Sequence, residues 1–194
     1  DIITSRSQHA FDLKYEDPRV VDRYGPGLGQ QLLQARRLCE AGCGFVTVSF
    51  GGWDMHGGIK AGMESLGPQV DRAVAALVED MHLRGLDEKI LLVVSGEFGR
   101  TPKISTLPGA AEAGRDHWGR VQSVFFAGGG VRGGTVVGGS DRFGGEPASD
   151  PQRPEDLAAT IYHALGLPSA TRWHDSLGRP FTLSEGRPIP GLFG

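Results

Sequence analysis

The stretch Lys89–Ser95, KILLVVS, decides how this chain's fold is read. Five consecutive apolar residues, Ile90 to Val94, leave no polar face, which is the pattern of a strand covered on both sides in a parallel sheet. Upstream, Val70, Ala73, Val74, Leu77 and Met81 keep helical spacing and predict an amphipathic helix ending near Gly85. Before that helix stands FVTVSF (Phe45–Phe50), a β-branched and aromatic run that reads as another strand. It follows Leu28, Leu32, Ala35, Leu38, Cys39 and Gly42, a helical pattern with Gly42 as its cap. Downstream, VQSVFFAG (Val121–Gly128) predicts a third strand and GTVVG (Gly134–Gly138) a short fourth. RPEDLAATIYHALGLP then predicts a helix opened by Pro154 and stopped by Gly166. Strands alternating with helices specify an α/β fold with a mostly parallel sheet.

The 194 residues suit one domain spanning 1–194, with 39% hydrophobic and 22% charged residues in the range of ordinary globular chains. Twenty basic residues stand against 23 acidic ones, and no basic run offers a footing for nucleic acid. No apolar stretch has the length of a membrane span, and the opening DIITSRSQHAFDLKYEDP contains no apolar signal core. Cys39 and Cys43, four apart in a helical pattern, are too far separated for a relaxed disulfide and read as small buried residues, with a two-cysteine metal site as the second reading. The 31 glycines follow no triplet period and mark turns. GGGVRGG lacks the lysine and hydroxyl residue of a phosphate loop, and no G-x-S-x-G elbow is present.

Chemistry gathers in three glycine-flanked loops. VSFGGWDMHGG (Val48–Gly58) puts Asp54 and His56, two residues apart, beyond a strand, and SGEFGRTP (Ser95–Pro102) puts Glu97 and Arg100 beyond the next. Active loops of open α/β sheets collect at the carboxyl ends of strands. GRDHW adds Asp116 and His117. Each cluster alone is a polar turn; together, Asp54, His56, Glu97, Asp116 and His117 offer five oxygen and nitrogen donors, close to the complement of a two-metal site. Mixed carboxylate and imidazole donors favour Zn, Mn, Mg or Ca. His9, His82, His163 and His174 are read as packing, turn or solvent-facing residues.

FVTVSFGGWDMHGG, VVSGEFGRTPKI, GRDHW, FFAGGGVRGGTVVGGSD, PEDLAATIYHALGL and DSLGRPFTLSEGRPIPGLF occur in the order of a bacterial domain-of-unknown-function family, number 1501. The leader FDLKYEDPRVVDRYGPGLGQQLLQARRLCEAG resembles it too, so the likeness runs nearly end to end. That family is similar to sulfatases and the alkaline phosphatase superfamily. The resemblance implies a doubly wound sheet with helices on both faces and divalent metal, one ion or two, at the strand ends. Asp54 and His56 would ligate one ion, Glu97 would stand in place of the Asp of a second ion's Asp-His pair, and Asp116 and His117 would close the site. Phe98 stands where that pair's His would be. Arg100 would hold the substrate anion, a small-molecule or carbohydrate ester of phosphate or sulfate. The family pattern also implies export to the periplasm, and a nucleophile carried on an upstream strand and helix that this chain does not contain. The chain is then the C-terminal part of a longer protein, a partial domain. A non-catalytic member that binds metal or a partner is the alternative.

Overall fold

The computed structural model describes residues 5–193. Contacts divide the chain into two compact units. One runs to Ile90 and includes Lys103–Asp116; the other comprises Leu91–Pro102 and the residues from His117 onward.

Unit one is helical: α1 (Ser5–Phe11), α2 (Pro18–Tyr24), α3 (Leu28–Glu40) and α4 (Ile59–Leu83). Asp17 caps α2 by accepting from the Arg19 N–H at 2.8 Å, with Pro18 in the first turn, where a missing N–H costs nothing. Of the periodic residues named above, Leu28 and Leu32 of α3 and Ala73, Leu77 and Met81 of α4 enter the core, joined by Leu33, Ala76 and, from α2, Val20 and Tyr24, whereas Ala35, Leu38, Val70 and Val74 are only half-buried. Helix α3 ends as its pattern predicts, with Gly42 N–H on the Cys39 carbonyl and Cys43 N–H on that of Leu38. Helix α4 begins eleven residues before Val70, running through Pro68. Its first half has no fully buried residue, so the ladder bond that proline removes is lost at a solvated face. Cys39 is half-buried and Cys43 exposed; both are free thiols, so the expected burial fails at Cys43. Burial, then the neighbouring Cys43, pushes the Cys39 thiol's pKa up.

At the centre of these helices lies a charge network that the periodicity does not reveal. Arg36, 2% exposed, meets Glu16 and Glu40, and its Nε lies 3.1 Å from Asp80 without the alignment of a hydrogen bond. Arg37 reaches Glu16 at 3.0 Å, and Arg84 reaches Glu16 at 3.0 Å and Asp80 at 2.8 Å. The Tyr24 hydroxyl donates to Asp80 at 3.0 Å; burial and then that carboxylate push its pKa above the ordinary phenol value.

Unit two overturns the expected parallel sheet. Strand β1 (Leu91–Val94), the core of KILLVVS, pairs with β4 (Phe125–Gly128), and the pairing is antiparallel, Leu91 opposite Gly128 and Val94 opposite Phe125. Every other strand pair is antiparallel and short: β2 (Gly99–Arg100) with β3 (His117–Trp118), β5 (Gly139–Ser140) with β6 (Pro147–Ser149), and β7 (Arg172–His174) with β8 (Pro180–Thr182). The described residues contain no doubly wound sheet. Continuous apolar composition reports burial and says nothing of a partner strand's direction, and β1 is in fact only half-buried along its length. FVTVSF forms no assigned strand either, although exposure alternates residue by residue from Phe45 to Phe50. GTVVG is irregular, with the next strand starting at Gly139.

Helix α5 (Pro154–Ala164) matches its sequence signals and organises the C-terminal segment. Asp156 accepts the N–H groups of Arg187 and Arg153, each at 2.9 Å, and these bonds hold its carboxyl below the usual carboxylate range. Thr160 is fully buried, donating to the Asp156 carbonyl at 2.6 Å and accepting from the Ile189 N–H at 2.9 Å. His163 packs against Phe193 as a helix-packing histidine should. His174 lies in β7, in place of the turn expected for it, and Asp175 forms the turn.

Candidate metal site

The loop after Phe50 is folded by its own backbone. Trp53 Nε1 donates to the Phe50 carbonyl at 2.9 Å, and two successive i to i+2 bonds follow, Met55 N–H to Trp53 and His56 N–H to Asp54. These tight turns bring the side chains of Asp54 and His56 together, with His56 Nε2 2.9 Å from Asp54 Oδ1. The intervening Met55 is the anchor. Its sulfur lies 2.0 Å from where a Cβ on Gly62 of α4 would stand, so a side chain there would make the methionine move.

A second loop of the same unit completes this arrangement. Ser105 and Gly114 exchange two hydrogen bonds of 3.0 Å, closing the excursion between them. The returning strand is stitched to the first loop by Arg115 N–H to the Met55 carbonyl at 3.1 Å and Ile59 N–H to the Ala113 carbonyl at 3.2 Å. Gly114 lies directly on the backbone of His56. A Cβ there would stand 2.2 Å from the His56 carbonyl carbon, far inside contact distance. This close approach delivers Asp116 to the other side of the ring, its Oδ1 3.4 Å from His56 Nδ1. His56 is thus flanked by a carboxylate at each nitrogen, while all three side chains keep access to solvent.

The spacing of Asp54 and His56 has a second chemical meaning. Metal–nitrogen and metal–oxygen bonds of about 2.0–2.1 Å put adjacent ligands about 3 Å apart on one ion. The observed 2.9 Å therefore fits two donors sharing a cation as well as a hydrogen bond. Carboxylate plus imidazole suits zinc, manganese and related divalent ions.

The remaining sequence candidates belong to unit two. His117 opens β3 one peptide bond after Asp116 and sits opposite Arg100 of β2 in the antiparallel register. The His117 ring meets Phe98 at 4.5 Å between centroids, tilted by 50°. Glu97 is exposed on the turn between β1 and β2. Sequence reasoning therefore named Asp54, His56 and Asp116, which lie together, and missed the residues beside them, Met55, Gly62 and Gly114. The glycine two positions before Asp116 was the available signal for the last.

Among the described residues, no helix is long and apolar enough to cross a membrane. No curated protein and no solved structure matches the chain. A family model described as Protein of unknown function (DUF1501) matches residues 3–193, which is nearly the whole sequence, and the chain therefore belongs to that family.

Proposed function

We propose that this protein holds a divalent metal ion through Asp54 and His56, and that the ion serves hydrolysis of a phosphate or sulfate ester. Each of these residues offers one ligand atom, a carboxylate oxygen or an imidazole nitrogen. The observation that carries the reading is the 2.9 Å spacing of Asp54 Oδ1 and His56 Nε2 on a loop braced by backbone bonds. A divalent ion in such a setting polarises an ester oxygen and stabilises the leaving group. Arg100, opposite His117 in the β2–β3 register, is the residue to hold the substrate's anion. The ester as substrate class follows from the expectation that the family its motifs resemble is related to sulfatases.

One observation favours a second reading, a binding module without turnover: Phe98, in the position where a further imidazole would extend the donor set, packs its ring on His117. The test is titration of the metal-stripped chain with Zn²⁺ and Mn²⁺ by calorimetry, followed by assay of the loaded protein on nitrophenyl phosphate and nitrophenyl sulfate. Saturable uptake lost in Asp54→Ala and His56→Ala is expected. Absence of uptake by the unmodified chain refutes the metal site; uptake without turnover of either ester selects the binding module.

A further inference from the structure

We infer that Asp116 is a positioning residue for His56 and not itself a ligand of the metal. The inference rests on the metal reading above and deepens it. An imidazole that binds a metal uses the lone pair of one nitrogen, and in the neutral ring its other nitrogen carries the proton and needs an acceptor. In His56 the two nitrogens are already distinguished: Nε2 faces Asp54 at 2.9 Å and Nδ1 faces Asp116 at 3.4 Å. The shorter contact has ligand-to-ligand spacing. The longer one lies at the outer limit of an N–H···O bond, and it joins a carboxylate to the nitrogen pointing away from Asp54.

The backbone supports the same division of roles. Asp54 and His56 share one tight turn, so their donors are fixed relative to each other. Asp116 arrives on a separate strand, held by the Ser105–Gly114 bridge and by Arg115 N–H on the Met55 carbonyl. Gly114 lets that strand lie against the His56 carbonyl, so the carboxylate and the ring are carried by backbones in mutual contact. This construction fixes the orientation and tautomer of His56, the task that outer carboxylates perform for metal-bound histidines.

The test compares Asp116→Ala, Asp116→Asn and Asp54→Asn for Zn²⁺ affinity and for the visible absorption spectrum of the Co²⁺-loaded chain. Asp116→Ala is expected to weaken Zn²⁺ binding by about 10–100-fold, the usual effect of losing such a partner. Asp116→Asn keeps an acceptor for Nδ1–H and is expected to stay within about threefold of the unmodified chain. Both Asp116 variants should keep the Co²⁺ spectrum unchanged, because the ligand set is intact, whereas Asp54→Asn should alter it. Far-UV circular dichroism checks that each variant is folded; Asp116 is exposed, so its replacement leaves the helices in place. Unchanged affinity in Asp116→Ala overturns the inference while leaving the metal site standing. A Co²⁺ spectrum altered by Asp116→Asn as by Asp54→Asn makes Asp116 a ligand and overturns it equally. If the unmodified chain takes up neither ion, the metal reading itself fails and the inference falls with it.

Discussion

Replacing Glu16 with glutamine should destabilise the helical unit by about 3 kcal/mol at neutral pH. The Glu16 side chain is 7% exposed and touches three guanidinium groups, those of Arg36, Arg37 and Arg84. Removing one partner of a buried ion pair typically costs about 3–5 kcal/mol, because the opposite charge stays buried. The lower end applies here, since Arg84 is about one-third exposed and Arg36 retains Glu40 and Asp80. With a urea slope of about 2 kcal/mol/M, the midpoint followed at 222 nm should fall by about 1.5 M.

The pH dependence of this loss follows from the direction in which Glu16 is shifted. Burial raises its pKa, but the hydrogen bonds from Arg36 and Arg37 and the charges of Arg36 and Arg84 together outweigh that and leave it below the free value of 4.5. A depressed carboxylate contributes its full stabilisation above the unfolded value, and the contribution disappears as pH falls through the folded one. The gap between wild type and Glu16→Gln should therefore be constant from pH 7 to about 5 and narrow below 4.5. The other network carboxylates are common to both proteins and cancel in the difference. A midpoint shift under about 0.5 M at pH 7, or a gap that fails to close in acid, would refute the reasoning.

Thr160→Val keeps the side chain's shape but removes the hydroxyl that joins α5 to Ile189, leaving the buried Ile189 N–H without its acceptor. A loss of about 1–3 kcal/mol is expected, measured as faster proteolysis of the C-terminal segment; an unchanged cleavage rate counts against it. Gly114→Ala should separate the two loops around His56, since the added methyl cannot fit 2.2 Å from a carbonyl carbon. Amide resonances of residues 54–58 and 113–116 should shift while those of α3 stay in place, and an unperturbed spectrum would show that the close approach is not maintained in solution.

Helices were legible because their information is local. The 3.6-residue spacing at Leu28, Leu32 and again at Ala73, Leu77 states which face is covered, and Pro154 and Gly166 bracket α5. The sheet was not legible, for a physical reason visible in β1. An all-apolar strand carries no signal of partner or direction, whereas the hydrogen-bonded neighbour, β4, is chosen by tertiary contacts from thirty residues away. The start of α4 was not legible either, because its first half carries no buried face, and Pro68 lies within it at an exposed position. Among the site residues, Asp54, His56 and Asp116 were found by donor chemistry, and the structure brings those three to one ring. Gly114 and Gly62 went unnoticed because their contribution is the absence of an atom, which only a neighbour's coordinates reveal.

The segment Phe45–Phe50 has a consequence for how the molecule behaves at high concentration. Its amides make no backbone hydrogen bond among the described residues. No charged side chain occurs from Ala41 through Trp53. β-Branched and aromatic residues in a neutral run without proline are the composition that templates strand addition, and charged gatekeepers are the usual protection against it. Here that protection is missing from the sequence on both flanks, so Phe45–Phe50 is the point at which copies of this chain would first adhere, and a lysine at Thr47 or Ser49 is the economical remedy for anyone who needs the protein concentrated.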